Sequence, residues 1–188
     1  MLCLTVICFI VGMVFVPDEL EYYCRKAERA IKKGNCDAAL AIGKDALQTN
    51  EKLTSLRAFA LYKKGLLGEQ LFKYPLAGGS HALSRLPADD RDRILCADLM
   101  DKELDRFARH LLELYPGETS ALPRHYREAL VLLSHQRSNP IIIYRNNVLE
   151  ADYADYQRME KEAPMPETRK NVLRNSYRST YWYYYDYE

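Results

Sequence analysis

The sequence has little glycine and proline and almost no net charge. With 8 Gly and 8 Pro among 188 residues, it is neither collagen-like nor a low-complexity disordered chain. The formal net charge of +1 gives no long-range field, so nonspecific binding of nucleic acid has no electrostatic support. A chain of this length, 48% hydrophobic, is suited to one folded domain, or to one domain with an attachment.

The cysteines form neither a disulfide framework nor a zinc pattern. Their number is odd, and no CxxC pair occurs. Cys24 and Cys36 could face each other across a pair of helices, but two buried thiols are the favoured interpretation. The sequence contains five cysteines in all: Cys3, Cys8, Cys24, Cys36 and Cys96.

Motifs of catalysis and cofactor binding are also missing. GxSxG, GxxxxGK[ST], GxGxxG and HExxH do not occur. The carboxylates of ADDRD at 88–92 are interleaved with arginines, which indicates a charged helix start and not an acid/base pair. The protein is therefore predicted not to be an enzyme, with no catalytic residue, no metal site and no cofactor.

One histidine is of interest because of its neighbours. His125 lies in PRHYREAL, where Tyr126, Arg127 and Glu128 could line a groove with it. The favoured alternative is a helix start whose Arg and Glu side chains are solvated. A pocket that grouped Glu128 and His125 with a nucleophile would instead indicate a soluble hydrolase.

The first 16 residues, MLCLTVICFIVGMVFV, carry no charge. A signal peptide is disfavoured because no basic residue precedes the run and no small-residue cleavage site ends it. A buried core helix is disfavoured because the run lacks a polar stripe. As a helix the run would rise about 24 Å, less than the roughly 30 Å hydrocarbon core. We therefore predict a membrane segment that resembles the last part of a transmembrane helix.

Nearly everything after Pro17 is predicted to be helical, so the predicted fold class is all-α. Apolar residues recur at i, i+3, i+4 and i+7, which is typical of helices with one buried face. Basic last turns end at Gly34 and Gly65, and prolines separate the later segments. The one strand-like run, 141–144, is isolated. Predicted helices include 37–49, 53–64, 66–73 and 167–178, and apolar stripes lie at 104–111, 126–133 and 149–159.

The chain is predicted to fall into consecutive regions. These are an apolar membrane segment at 1–16, helical hairpins at 17–75, a loop or hinge at 76–87, a further helical array at 88–180 and an aromatic tail at 181–188. The tail, YWYYYDYE, is either a platform facing sugars or a membrane, or a cap whose rings pack over the last helix. The cap is favoured because so many solvated aromatic rings would promote aggregation.

A short pattern occurs twice in the first half. KKGNCDAAL at 32–40 and KKGLLGEQL at 63–71 share Lys, Lys, Gly and the final Leu, and a repeat near this length indicates a helical solenoid. The segment KKGNCDAALAIGKDALQTN resembles the turn and second helix of a tetratricopeptide repeat, with Gly34 at the turn and Ala39 and Ala46 at small positions. Tyr23 and Gly43 depart from that family's pattern, and a generic helical hairpin is the alternative.

A second resemblance covers residues 120–160 and the aromatic ending. SALPRHYREALVLLSHQRSNPIIIYRNNVLEADYADYQRME is similar to the C-terminal region of an uncharacterised family of multi-span bacterial membrane proteins. That resemblance implies that 1–16 is the remnant of a last transmembrane segment and that the protein is associated with a bacterial inner membrane. The side is left open, because the positive-inside bias favours the cytoplasm and a processed signal would give the periplasm.

The resemblances imply a non-enzymatic, membrane-attached helical-repeat domain that mediates protein–protein interaction. Its concave face would bind a protein segment or a neighbouring membrane subunit. The alternative is the accessory C-terminal region of a membrane-embedded enzyme of envelope glycans or lipids, whose catalytic spans are missing from these 188 residues. The candidate partner-binding residues are Tyr23, Lys26, Lys33, Asn35, His125 and Tyr126.

Overall fold

A computed structural model describes residues 18–117, 121–163 and 165–188, and within them the chain is all-α, as predicted. Two 3-10 helices, Leu71–Lys73 and Gly79–Leu83, accompany the α-helices. The predicted apolar helix at 1–16 lies outside the described residues. The α-helices are α1 (Glu19–Lys32), α2 (Cys36–Ala41), α3 (Glu51–Lys63), α4 (Leu67–Gln70), α5 (Arg91–Met100), α6 (Leu104–Leu114), α7 (Arg124–Gln136), α8 (Asn147–Glu162), α9 (Pro166–Tyr177) and α10 (Tyr181–Tyr187).

The first three helices pack against one another. Each begins at a side chain that accepts a hydrogen bond from a first-turn N–H, and these capping residues are Asp18, Asn35 and Asn50. On α1 only Cys24 and Ala27 are fully buried. Their small side chains allow α2 and α3 to approach α1 closely.

The helix predicted over 37–49 is much shorter in the structure, because α2 ends at Ala41. Gly43 follows with a φ of 60°, in the left-handed region that favours glycine. A Cβ at this position would come within 2.9 Å of the Tyr23 ring. The boundary was wrong because this close approach to α1 overrides the helix-forming residues that follow Gly43.

A buried arginine in α3 holds the irregular segment that follows α2. Arg57 is 1% exposed, and its guanidinium donates to the backbone oxygens of Ile42 (3.2 Å) and Gly43 (2.5 Å). It also donates to the backbone oxygen of Pro75 at 3.3 Å and lies 5.5 Å from the centre of the Tyr74 ring. Burial lowers the pKa of Arg57 from its ordinary value. One side chain thus satisfies carbonyl groups of two separate irregular segments.

The segment predicted to be a loop or hinge, 76–87, packs against the helices on both sides of it. Its 3-10 helix, Gly79–Leu83, contacts α3 and α5. The side chains of Ala82, Leu83 and Leu86 are buried. This segment therefore joins the first helices to the second half of the fold through apolar contacts.

Helix α7 lies at the centre of the second half. It contacts α4, α6, α8 and α10, and 8 of its 13 residues are buried. A helix buried on so much of its surface is typical of a core position. The predicted stripes of α6 and α7 are confirmed as buried: Leu104, Phe107, Ala108, Leu111, Tyr126, Ala129, Leu130 and Leu133.

The aromatic tail forms α10, which packs on α7 and α9. Four consecutive rings are buried there, those of Tyr181, Trp182, Tyr183 and Tyr184. The Phe72 ring lies 5.0 Å from that of Tyr181 and 4.9 Å from that of Tyr184, measured between centroids. The tail is therefore a helix whose rings extend the hydrophobic core.

The cysteines within the described residues are free thiols. Cys24 and Cys96 are buried and Cys36 is half-buried. The Cys24 thiol donates to the side-chain oxygen of Asn50 at 3.5 Å, and burial raises the pKa of the thiol. Cys24 and Cys36 are not joined by a disulfide.

Candidate functional site

An open groove of about 860 Å³ lies between the start of α1 and the irregular segment after α2. Its lining combines apolar and charged side chains. Leu47, at its edge, is 73% exposed, so its side chain is accessible to a partner. Among the residues that line it are Asp18, Glu19, Leu20, Tyr23, Lys44 and Leu47.

Contacts on both sides fix the shape of the groove. The Tyr23 ring packs against Gly43, and its hydroxyl donates to the Glu19 carboxylate, a hydrogen bond that raises the pKa of Tyr23. Arg57 holds the carbonyl groups of Ile42 and Gly43 from the core side. A preformed wall lowers the ordering cost of binding a partner.

Four of the predicted partner-binding residues lie in the helical hairpins at 17–75, and they differ in whether they reach the groove. Tyr23 lines the groove. Lys26 is exposed, with its amino group 5.3 Å from the centre of the Tyr22 ring. Lys33 is exposed at the end of α1, and the Asn35 side chain accepts the Ala38 N–H at 2.9 Å as the cap of α2. The structure therefore brings only Tyr23 of these four to the groove.

His125 and Tyr126 are both completely buried in α7. The Tyr126 hydroxyl donates to the Asp92 carboxylate at 3.0 Å, and burial raises the pKa of this phenol well above its ordinary value. A Cβ added at Gly68 would come within 2.6 Å of the Tyr126 ring, so α4 crosses α7 very closely. Neither side chain is accessible to a partner, and both stabilise the core.

The carboxylate of Glu128, 1% exposed, is the centre of a polar cluster inside the second half. Arg124 Nε donates to one carboxylate oxygen at 2.7 Å, and His125 Nδ1 lies 2.9 Å from the other. That second oxygen also accepts the backbone N–H of Tyr181 at 2.8 Å. The backbone oxygen of Glu128 accepts Trp182 Nε1–H at 2.8 Å. The cluster therefore joins α7 to the start of α10.

Two opposing effects act on the pKa of Glu128. Burial raises it, but the hydrogen bond to His125 and the nearby charges of His125 and Arg124 more than compensate. The net pKa lies below the ordinary value, so Glu128 is ionised at neutral pH. An ionised carboxylate whose oxygens are already occupied by donors is poorly suited to accept a proton in catalysis.

The Ser176, Tyr177 and Thr180 side chains line a surface pocket together with Glu128, but none of their hydroxyl groups bonds to the cluster. Within the described residues, no hydroxyl or thiol hydrogen-bonds to Glu128 or His125. The Thr180 hydroxyl, at the start of α10, donates to the backbone oxygen of Tyr177 at 2.7 Å. His125 Nε2 is buried and has no hydrogen-bond partner among the described residues. The geometry favours a structural role for the cluster.

The favoured sequence interpretation placed Arg127 and Glu128 in solvent, and the burial of Glu128 was missed. The one local signal was the i,i+4 spacing of Arg124 and Glu128 in RHYRE, which the structure shows as an ion pair at 2.7 Å. The donors that complete the cluster come from Tyr181 and Trp182, more than 50 residues later in the chain. No local pattern connects RHYRE with the aromatic tail.

The depressed pKa of Glu128 predicts a pH dependence of stability. Its ionised form contributes stability that is fully present above the unfolded-state pKa, about 4.3, and is lost as the pH falls through the folded-state pKa. We expect the difference in free energy of unfolding between wild type and Glu128→Gln to be largest near neutral pH and to shrink in acid. Urea unfolding over a pH series measures this difference.

The matched variant for that series is Glu113→Gln, which removes an exposed carboxylate of α6. This variant shows how the loss of one exposed negative charge changes the pH dependence of the free energy of unfolding. If both variants differed from wild type with the same pH dependence, the stabilisation assigned to ionised Glu128 would be wrong.

The described residues contain no group of three His, Cys, Asp or Glu side chains placed to hold a metal ion. The fold and the two sites together define a helical-hairpin protein with an open groove and a buried polar cluster. The chain belongs to DUF6057, a family of unknown function, which it matches over residues 91–188, just over half of its length. No curated protein and no solved structure matches the chain.

Proposed function

We propose that the chain is a non-enzymatic helical-repeat module, resembling a tetratricopeptide array, that binds a segment of a partner protein. The observation that supports this most strongly is the groove beside α1, which is open to solvent and has preformed walls. Proteins built from successive helix pairs use such open surfaces between helices to bind extended partner segments.

The chemistry of the groove favours one kind of partner. Leu20, Tyr23 and the exposed Leu47 offer apolar surface. The charged lining residues are three carboxylates and one lysine, namely Asp18, Glu19, Asp45 and Lys44, so the groove has a net negative charge. A peptide segment in which apolar side chains are separated by Lys or Arg would complement both features. The partner is therefore an extended segment of basic and apolar residues, from another protein or from a neighbouring membrane subunit.

Leu47→Asp is expected to weaken this binding at least about tenfold, because burial of one Leu side chain contributes about 1.5–3 kcal/mol. The probes are two labelled peptides, one alternating Leu and Lys, the other alternating Leu and Glu. Fluorescence anisotropy with the full-length chain measures both affinities. We expect the Leu–Lys peptide to bind more tightly than the Leu–Glu peptide.

The matched control for Leu47→Asp is Ile143→Asp, at an aliphatic residue that is 76% exposed and does not line the groove. It should leave the affinity for the Leu–Lys peptide unchanged. The proposal fails if neither peptide binds, if both bind equally, or if the two variants lose affinity to the same extent.

Attachment to a bacterial inner membrane through residues 1–16 is part of the same proposal. Its support is the uncharged run in the sequence, which lies outside the described residues. None of the described helices combines the length and the apolar character needed to span a membrane. The test compares the full-length chain with one that begins at Asp18 after a high-salt wash of membranes. Retention of the full-length chain alone is expected, and release of both would contradict attachment.

A further inference from the structure

A second cavity, of about 170 Å³, lies where the segment after α4 meets α9, the end of α10 and Ala46 and Leu47 at the edge of the groove. Four basic side chains line it, those of Lys73, Lys170, Arg174 and Arg178. The one carboxylate in the lining is that of Glu188. The lining thus carries an excess of positive charge in a protein whose formal net charge is only +1.

Within the part of the chain that the structure describes, two of these cations have hydrogen-bonded partners and two have no ion-pair partner. Arg178 donates to the Asp45 carboxylate at 2.8 Å, and Lys170 donates to the backbone oxygen of Tyr187 at 3.0 Å. Lys73 and Arg174 take part in none of the ion pairs within the described residues. No described carboxylate lies within ion-pair distance of these two cations, although the Glu188 carboxyl group is near enough for Arg174 to lower its pKa.

A fifth cation lies behind the cavity wall. Tyr74 and Pro75 line the cavity, and buried Arg57 donates to the backbone oxygen of Pro75 and lies against the Tyr74 ring. No described carboxylate pairs with Arg57, and its Nε has no hydrogen-bond partner. A buried cation without a counter-charge raises the positive potential of the cavity next to it.

We propose that this cavity binds a phosphate group, with Arg174 and Lys73 as its principal ligands. A guanidinium matches two phosphate oxygens in a bidentate geometry, and a lysine adds a point charge to the dianion. The ligand is inorganic phosphate or a phosphomonoester, either free in solution or as a lipid headgroup. The cavity shares Ala46 and Leu47 with the groove beside α1, but neither Arg174 nor Lys73 lines the groove, so variants of these two ligands test the phosphate site alone.

Glu188 competes with the ligand for the same cations. Burial raises the pKa of its carboxyl group, whereas Lys170 and Arg174 lower it. A carboxylate in a cationic cavity neutralises part of the charge that a phosphate would use. Removing this charge should therefore strengthen binding, and removing a ligand should weaken it.

Isothermal titration calorimetry of the full-length chain with inorganic phosphate tests the site. We expect Arg174→Gln and Lys73→Gln to weaken binding about tenfold or more, and Glu188→Gln to strengthen it about threefold or more. The matched control is Lys161→Gln, an exposed lysine of α8 outside the cavity. Circular dichroism confirms that each variant is folded, and the opposite sign for Glu188→Gln excludes a general loss of structure.

A second arm identifies the source of the phosphate group. Phosphatidylcholine vesicles, with and without phosphatidic acid, are sedimented with each variant. A soluble ligand is supported if free phosphate binds, and if its affinity falls in Arg174→Gln and Lys73→Gln and rises in Glu188→Gln. A lipid headgroup is supported if the protein sediments only with vesicles that contain phosphatidic acid, and if the variants change this binding in the same directions. The proposal is overturned if neither probe binds, or if the cavity variants behave like Lys161→Gln in both arms.

Discussion

Glu128→Ala should lower the free energy of unfolding by about 3–5 kcal/mol, because it breaks a buried ionic cluster by removing its central member. Arg124 Nε and His125 Nδ1 lose the carboxylate oxygens that they contact, and the buried N–H of Tyr181 loses its acceptor. The contact between α7 and the start of α10 is then weakened. Urea unfolding measures the loss, and Trp182, the one Trp in the sequence, provides a fluorescence signal from α10 itself.

Two further variants test whether the loss of stability in Glu128→Ala comes from the buried cluster. Glu150→Ala removes a carboxylate of similar chemistry that pairs with His135 at 2.8 Å, but in an exposed position, so a loss below about 1 kcal/mol is expected. Glu128→Gln should fall between the two, since an amide oxygen can still accept the Tyr181 N–H. Equal losses for Glu128→Ala and Glu150→Ala would show that the buried cluster does not hold α10.

Trp182→Ala is expected to cost about 3–5 kcal/mol, the usual range for truncating a large buried aromatic side chain. The Trp182 side chain is 1% exposed, and its ring lies 5.0 Å from that of Tyr153 and 6.1 Å from that of Tyr156. Truncation leaves a cavity beside these rings and removes the hydrogen bond to the backbone oxygen of Glu128. Thermal and urea unfolding followed by circular dichroism measure the effect without a tryptophan signal.

The comparison variants separate packing from hydrogen bonding at Trp182. Trp182→Phe keeps most of the aromatic contact and loses the Nε1–H donor, so the loss should be smaller than for Ala, and at least about 1 kcal/mol. Tyr22→Ala removes an aromatic ring that is 48% exposed and should change stability by roughly 0.5 kcal/mol. A Trp182→Ala variant as stable as Tyr22→Ala would mean that α10 does not form part of the core.

The family match and the groove lie in different parts of the chain. Residues 91–188, which match DUF6057, include α5 to α10 and therefore the Glu128 cluster and the buried aromatic tail. The groove beside α1 is built from residues 18–48, outside the match. The features tested by Glu128→Ala and Trp182→Ala thus belong to the family-matched region, and partner binding is proposed for the helices that precede it.

The sequence by itself determined the all-α class and most of the helices. The spacing of Leu104, Phe107, Ala108 and Leu111 predicted a buried face, because apolar residues at helical spacing must lie together on one side. The helix predicted at 53–64 corresponds to α3 (Glu51–Lys63), and that predicted at 167–178 to α9 (Pro166–Tyr177). These features depend on residues within about ten positions of one another.

Only the tertiary structure decided where α2 ends and which polar groups are buried. Gly43 ends α2 because the Tyr23 ring leaves no room for a side chain, and Arg57 then holds the freed carbonyl groups from another helix. Glu128 is buried because its remaining donors arrive from α10. In each case the deciding partner is distant in sequence, and a local pattern carries no information about a contact that exists only after the helices have packed.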